Sequence, residues 1–180
     1  MSSPAHAFRT AVHALFIRSR PKDQFEILLG LRQNTGYGDG CYSFPAGHQE
    51  LFETSLQALV RESYEEVGAH VALPNNTPPV LHIEHLKDYG SAYADPARRF
   101  RHYHELFYIV PDWMGEPQNC EPDKCGDLRF FSSNHLPHNL MPLTRFALEL
   151  IVAGQEKQAR FGWDNPDFPA WRKKHFPQVV

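Results

Sequence analysis

Residues 54–68, TSLQALVRESYEEVG, constrain the fold most tightly because two opposed patterns run through them. Thr54 followed by Gln57 has the spacing of a capping box, and Gly68 suits a left-handed stop. Between them Leu56, Leu59, Val60, Ser63 and Val67 recur at helical spacing, so this helix needs an apolar partner on one side. Glu62, Glu65 and Glu66 fall together on another face, where like charges destabilise a bare helix. That grouping has two readings. One is a solvated acidic face. The other is a set of hard oxygen ligands for Mg²⁺ or Mn²⁺, with the planar fork of Arg61 orienting the carboxylates.

The rest of the chain supplies strands to pack against. Residues 8–18 and 24–32 read as strands joined by a turn at 19–23, and residues 33–40, with three glycines, read as a loop. Residues 80–86, 102–110 and 127–132 read as further strands, and residues 143–157 as a second amphipathic helix. Residues 87–101 and the proline-bearing stretch 111–126 read as connections, the second long enough to suggest a functional loop. Strands mixed with two separated helices indicate a layered α/β or α+β domain. The expected division is a domain over residues 1–158 and an aromatic, proline-rich tail over 159–180 packed on it.

Charge and cysteine content narrow the function. Eighteen Lys and Arg against 21 Asp and Glu leave a formal charge of −3, which argues against a nucleic-acid-coating protein. It leaves a nucleotide ligand open, because a bound metal supplies positive charge. No stretch reaches the ~20 apolar residues of a membrane span, and the N-terminal sequence lacks a signal-peptide pattern. The expectation is a cytoplasmic chain with no membrane partner and with incidental thiols at Cys41, Cys120 and Cys125. His82, His85, His102 and His104 lack a completing ligand set and read as packed or exposed histidines rather than a zinc site.

Residues 47–69, GHQELFETSLQALVRESYEEVGA, closely resemble the Nudix box, G-x5-E-x7-R-E-U-x-E-E-x-G-U, where U is a bulky aliphatic residue. Gly47, Glu53, Arg61, Glu62, Glu65, Glu66 and Gly68 fall in register, and Tyr42–Ala46 resembles the usual lead-in. Ser63 and Ala69 depart from the aliphatic positions, and Phe52 stands where glycine is commonest. The resemblance, to small bacterial-type nucleotide hydrolases, implies an α/β/α sandwich with a mixed β-sheet and a Mg²⁺- or Mn²⁺-dependent hydrolase. Glu62, Glu65, Glu66 and the Gly47 carbonyl match its metal-binding positions, and Glu53 and Arg61 its orienting positions.

The catalytic base is open among Glu65, Glu62 and, outside the box, Glu121. Arg32 and Lys124 are candidates to meet phosphates. Tyr37 and Phe52 are candidate substrate contacts; Phe8, Trp113 and Phe131 are further aromatic side chains able to stack on a base. Arg98, Arg99 and Arg101 read as a solvated basic loop, with a phosphate contact as the alternative. The expected partner is a nucleotide-type small molecule, first a nucleoside triphosphate, oxidised or otherwise non-standard forms included. The alternatives are ADP-ribose or another ADP-sugar, and a non-catalytic nucleotide sensor. The short N-terminus argues against the swapped strands of longer ADP-sugar hydrolases. The oligomeric state is open, a homodimer included.

Overall fold

The computed structural model describes residues 8–21, 24–89, 99–154 and 156–164. Strand β1 (Arg9–Arg20) is the spine of a mixed sheet. Its first part pairs antiparallel with β4 (Ala46–His48) and parallel with β7 (Phe100–Val110). Its last residues pair antiparallel with β2 (Gln24–Arg32), which also carries β3 (Tyr42–Ser43) and β9 (Cys125–Ser132). Beyond β7 lie β6 (Leu81–Asp88), antiparallel to it, and β10 (Gln158–Phe161), parallel to β6. A separate ribbon joins β5 (His70–Val71) to β8 (Trp113–Met114).

Helices cover both faces of the sheet. Helix α1 (Ser55–Val67) sets Ala58, Leu59 and Val67 against Val12, Ala14 and Phe16 of β1 and Leu28 of β2. Helix α2 (Pro142–Ala153) sets Leu143, Ala147 and Leu148 against Leu15, Ile27, Leu29 and Ile83. β1 therefore buries its successive side chains on alternate faces, and reads as a run of apolar residues rather than an alternation. Each large side chain fully buried this way contributes about 1.5–3 kcal/mol. The result is the expected α/β/α sandwich with a mixed sheet.

Helix α1 begins and ends where its sequence directs. The Thr54 hydroxyl accepts the Gln57 N–H at 3.3 Å, and the Gln57 side chain accepts the Thr54 N–H at 2.7 Å. Gly68 takes φ 65°, and its N–H reaches the Tyr64 carbonyl at 3.0 Å. The core stripe differs by one member. Val60 is 39 % exposed and Ala58 is fully buried, because the sheet meets the helix one residue round from the expected line. Ser63 keeps its place on the stripe, buried, and its hydroxyl has no hydrogen-bond partner among the described residues.

Helix α2 is shorter than its periodicity suggests. Gly154 at φ 64° ends it, and residues 158–161 leave to join the sheet as β10. Strand β9 starts two residues earlier than expected, and four strands of two or three residues are too short for a pattern to reveal. Lys22 and Asp23 of the expected turn, residues 90–98 of the connection before β7, and residues 165–180 of the expected tail lie outside the described residues.

The loop after β8 is anchored at both ends of its span. The N–H groups of Gln118 and Cys120 bond the carbonyls of Val67 and Glu66, each at 3.0 Å, and so satisfy the C-terminal end of α1. Its other side is held by Gln33, whose side chain donates to the Pro122 carbonyl at 2.7 Å, and by Asn34, which donates to Asp123 at 3.0 Å. This anchoring brings Glu121 and Lys124 beside the acidic face of α1.

Candidate active site

A cleft of about 470 Å³ opens between the end of β2, strand β4, the acidic face of α1 and the 119–125 loop. Arg32, Gly47, Arg61, Glu62, Glu65, Glu66, Glu121 and Lys124 all line it. Eight of the candidate residues are thus brought to one cavity from four separate parts of the chain. Three are not. Glu53 stands behind Arg61, Tyr37 lies off the lining, and Phe52 sits on the loop before α1, 97 % exposed, with φ 69°. An aromatic residue held in the left-handed region carries strain that glycine does not.

Arg61 organises the carboxylates. Its guanidinium bonds Glu53 at 2.7 and 3.2 Å, Glu62 at 2.8 Å and Glu65 at 3.1 Å, and donates to the His48 carbonyl at 2.9 Å. Glu53 is itself fixed by the Glu50 N–H at 2.6 Å. The Arg61 bond holds the Glu53 carboxyl below the usual carboxylate range. Among the described residues no three His, Cys, Asp or Glu side chains converge as a finished metal cage. The reason is visible in this network: the fork of Arg61 stands between Glu62 and Glu65 and shares their oxygens.

Glu62 and Glu66 are the enclosed acids. Glu62 packs on the Gly47 backbone so closely that a Cβ at Gly47 would lie 1.9 Å from the Glu62 carboxyl carbon. Burial raises the Glu62 carboxyl, with Arg61 opposing the rise. Glu66 accepts the Ala46 N–H at 2.8 Å. Burial pushes its carboxyl up to about 8; the Ala46 bond opposes this, and the charges of Glu62 and Glu121 add to it. Such a carboxylate gains strongly from a nearby cation. Lys124 meets Glu121 at 2.8 Å, and Arg32 turns back to Thr35 and the Tyr37 carbonyl, each at 3.0 Å.

Among the lining residues that sequence reasoning passed over are His48 and Glu50, both inside the box it had singled out. Alternation along β4 was the available signal for His48. The histidines form packed contacts as expected: His82 and His104 are hydrogen-bonded at 2.8 Å, and the His102 ring stacks on His104 at 5.5 Å.

A carboxylate-bearing helix over a mixed sheet, closed by a strand–loop lead-in, defines a Nudix-type hydrolase. The chain belongs to the NUDIX domain family, which matches residues 7–151. Its fold is similar to that of a MutT NUDIX hydrolase from Burkholderia pseudomallei, with 26 % identity, a TM-score of 0.64, and 80 % of this chain covering 98 % of that one. It is also similar to the E. coli ORF135 protein, at 24 % identity and TM-score 0.55, over 85 % of this chain and 97 % of that one. A bifunctional NMN adenylyltransferase/ADP ribose pyrophosphatase from Francisella tularensis shares the fold at 20 % identity and TM-score 0.51. That match covers 84 % of this chain and 43 % of the longer protein, whose structure holds AMP and a manganese ion.

Proposed function

We propose that this Nudix hydrolase cleaves a phosphoanhydride bond in a nucleoside triphosphate, oxidised or non-standard forms included, or in a related nucleoside diphosphate derivative. The observation that carries the reading is the pair of enclosed acids: Glu62 seated on Gly47 without room for a Cβ, and Glu66 buried with one N–H for a partner. The cleft that encloses them also carries the acids Glu50, Glu65 and Glu121 and the bases Arg32, Arg61 and Lys124. Glu62, Glu65, Glu66 and the Gly47 carbonyl are the oxygen donors that would hold Mg²⁺ or Mn²⁺, a hard-ligand set that suits these ions. A divalent ion there supplies charge to the phosphate oxygens and lowers the pKa of water.

In the hydrolysis, the oxygen of a water molecule bonds to phosphorus and the bridging P–O bond breaks. The electron pair leaves on the bridging oxygen, and the water's proton passes to a base. Glu65, Glu62 and Glu121 each face the cleft and are the groups able to take it. Arg61 braces the first two, and Glu53 braces Arg61. Arg32 and Lys124, both in the lining, are the cations that would bind phosphate oxygens. Tyr37 and Phe52 stand outside the lining as contacts for the rest of the substrate. The catalytic domain spans residues 1–158. A tail packed on it from residue 159 is supported by the pairing of Ala159, Arg160 and Phe161 with Ile83, Glu84 and His85 of β6, and by the Trp163 indole, which donates to the Glu84 carbonyl at 2.9 Å. Free thiols at all three cysteines suit a reducing cytoplasm.

The test is a panel of nucleoside triphosphates and ADP-sugars with Mg²⁺, following phosphate and pyrophosphate release. Turnover abolished by Glu66→Gln supports the reading. A ligand-induced thermal shift without turnover on any member makes the protein a sensor instead.

A further inference from the structure

The sheet face beside the cleft is basic and aromatic. Arg9 of β1 pairs with Tyr103 of β7, and Lys87 of β6 pairs with Arg101 of β7. His48 of β4 pairs with Ala11, two residues from Arg9. Paired residues, and residues two apart on a strand, share one face. Arg9, His48, Lys87, Arg101 and Tyr103 therefore stand on the same face, and His48 lines the cleft.

Lys87 lies within a cage of tyrosines. Its ammonium is 3.6 Å from the ring centre of Tyr37, 4.9 Å from Tyr89 and 5.4 Å from Tyr103. The hydroxyls of Tyr89 and Tyr103 are hydrogen-bonded at 2.9 Å, which fixes two walls. Cleft residues bracket the cage on both sides. The Tyr103 ring packs on His48 at 5.7 Å, and the Tyr37 carbonyl accepts from Arg32 Nε at 3.0 Å.

The charge here is unbalanced. Among the described residues Arg9, Lys87 and Arg101 make no ion pair, although the chain as a whole carries three more acids than bases. The nearby carboxylate, Glu105, is shared between His13 and His85 at 2.8 Å each. Burial lowers Lys87 to about 8; Glu105 opposes this, and Arg32, Arg101 and Arg9 add to it. Among the described residues the partners of this ammonium are aromatic rings and its flanking groups are two further cations, a setting that favours an anion.

We propose that this basic, tyrosine-lined region is a subsite for a second phosphate group of the substrate, one remote from the anhydride being cleaved, with Lys87, Arg101 and Arg9 binding it. The proposal rests on the preceding reading, in which the carboxylates hold the scissile anhydride. A phosphate monoester carries close to two negative charges at neutral pH, and so uses more than one cation. The Tyr89 and Tyr103 hydroxyls add donors of the kind it accepts.

Matched substrates isolate the remote group: NADPH against NADH, and coenzyme A against its 3′-dephospho form. The expected result is a kcat/KM at least tenfold higher for the phosphorylated member of one pair. Lys87→Met and Arg101→Ala are each expected to raise KM for that member about tenfold at unchanged kcat, with little effect on the other member, and Lys87→Arg to restore it. Equal kcat/KM within both pairs, or an equal loss on both members in Lys87→Met, overturns the proposal. Should the wild-type protein turn over neither pair, calorimetric titration with the same four compounds decides. Tighter binding of a phosphorylated member that is lost in Lys87→Met supports the subsite; equal affinities overturn it. Glu66→Gln is the separate control: activity surviving in that variant undermines the proposed function, whatever the pairs show.

Discussion

The Gly47→Ala variant tests the tightest packing in the site. A methyl group there meets the Glu62 carboxyl carbon at 1.9 Å and its two oxygens at 2.0 and 2.2 Å. Carbon contacts are favourable only from about 3.5 Å, so the carboxyl must retreat by roughly 1.5 Å. The β4 backbone has little freedom to yield, since Gly47 is paired with Val12 in the sheet. Its backbone dihedrals are open to alanine, because Gly47 is absent from the positive-φ residues. The side chain of Glu62 therefore moves, and its 2.8 Å bond to Arg61 breaks.

Two stability effects then oppose each other. A hydrogen bond between charged groups contributes about 1.5–3 kcal/mol, and the partly open site keeps this one near the lower end. Replacing glycine by alanine returns about 0.4–1 kcal/mol through the unfolded chain. The net cost is about 1 kcal/mol, or roughly 2–4 °C in Tm for a chain of this size. Activity responds far more, since misplacing a reacting-site group by about 1 Å costs on the order of 10²-fold. The assay is Mg²⁺-dependent phosphate or pyrophosphate release on the best substrate of the panel, with Tm measured in parallel. Near wild-type kcat/KM in the Gly47→Ala variant refutes the argument that Glu62 must sit where it does. A collapse of Tm instead makes Gly47 a folding residue, and equally sinks the reasoning.

Three other perturbations follow from the same contacts. Glu66→Gln lowers turnover by at least about 10²-fold with the fold intact. Its stability signature with metal chelated has a definite sign. The folded carboxyl titrates at about 8 against an ordinary 4.5, so the unfolded chain gives up its proton first, and wild-type stability falls as pH rises between those values. The Tm advantage of Glu66→Gln over wild type therefore widens from pH 5 to pH 8, and a constant gap contradicts this. Phe52→Gly removes a left-handed backbone strain of about 1–2 kcal/mol and adds about 0.5–1 kcal/mol of glycine entropy cost. Tm is expected to hold or rise slightly; a clear fall shows that the exposed ring has a packing role. Ser63→Ala deletes a buried, unpartnered hydroxyl and is expected to stabilise by about 1 kcal/mol, read by urea titration; a lower midpoint shows that the hydroxyl has a partner in solution.

Legibility from the sequence tracked how local each determinant is. The two ends of helix α1 were readable to the residue, because its cap and stop are encoded locally, whereas its buried stripe, set by how the sheet meets it, was readable except for Val60 and Ala58. The long strands β1, β2, β6 and β7 were readable as apolar runs, but their pairing order was not, since register is set by contacts far apart in sequence. The same limit separates the cleft from the basic sheet face beside it. Gly47 through Glu66 form one segment, and their spacing alone marks them. Lys87, Arg101 and Arg9 come from three strands, and only the β6–β7–β1 register sets them side by side. The 111–126 connection showed its length and prolines, but not the bonds from Gln118 and Cys120 to the end of α1 that carry Glu121 to the cleft.

The three glutamates on α1 raise the question of what offsets their repulsion, and the structure separates them by its answer. Glu65 is half exposed and shares the Arg61 fork, so water and one guanidinium account for it. Glu62 shares that fork too, but is pressed against Gly47, where no side chain fits. Glu66 makes no bond to Arg61, and among the described residues its one bond is to the Ala46 N–H. A solvated acidic face explains the first and leaves the other two costly. Enclosing two carboxylates against a glycine backbone lowers the stability of the bare chain, and a cation joining them would recover that cost. The acidity of the helix is therefore a weak sign of metal chemistry, and the enclosure of Glu62 and Glu66 is a strong one.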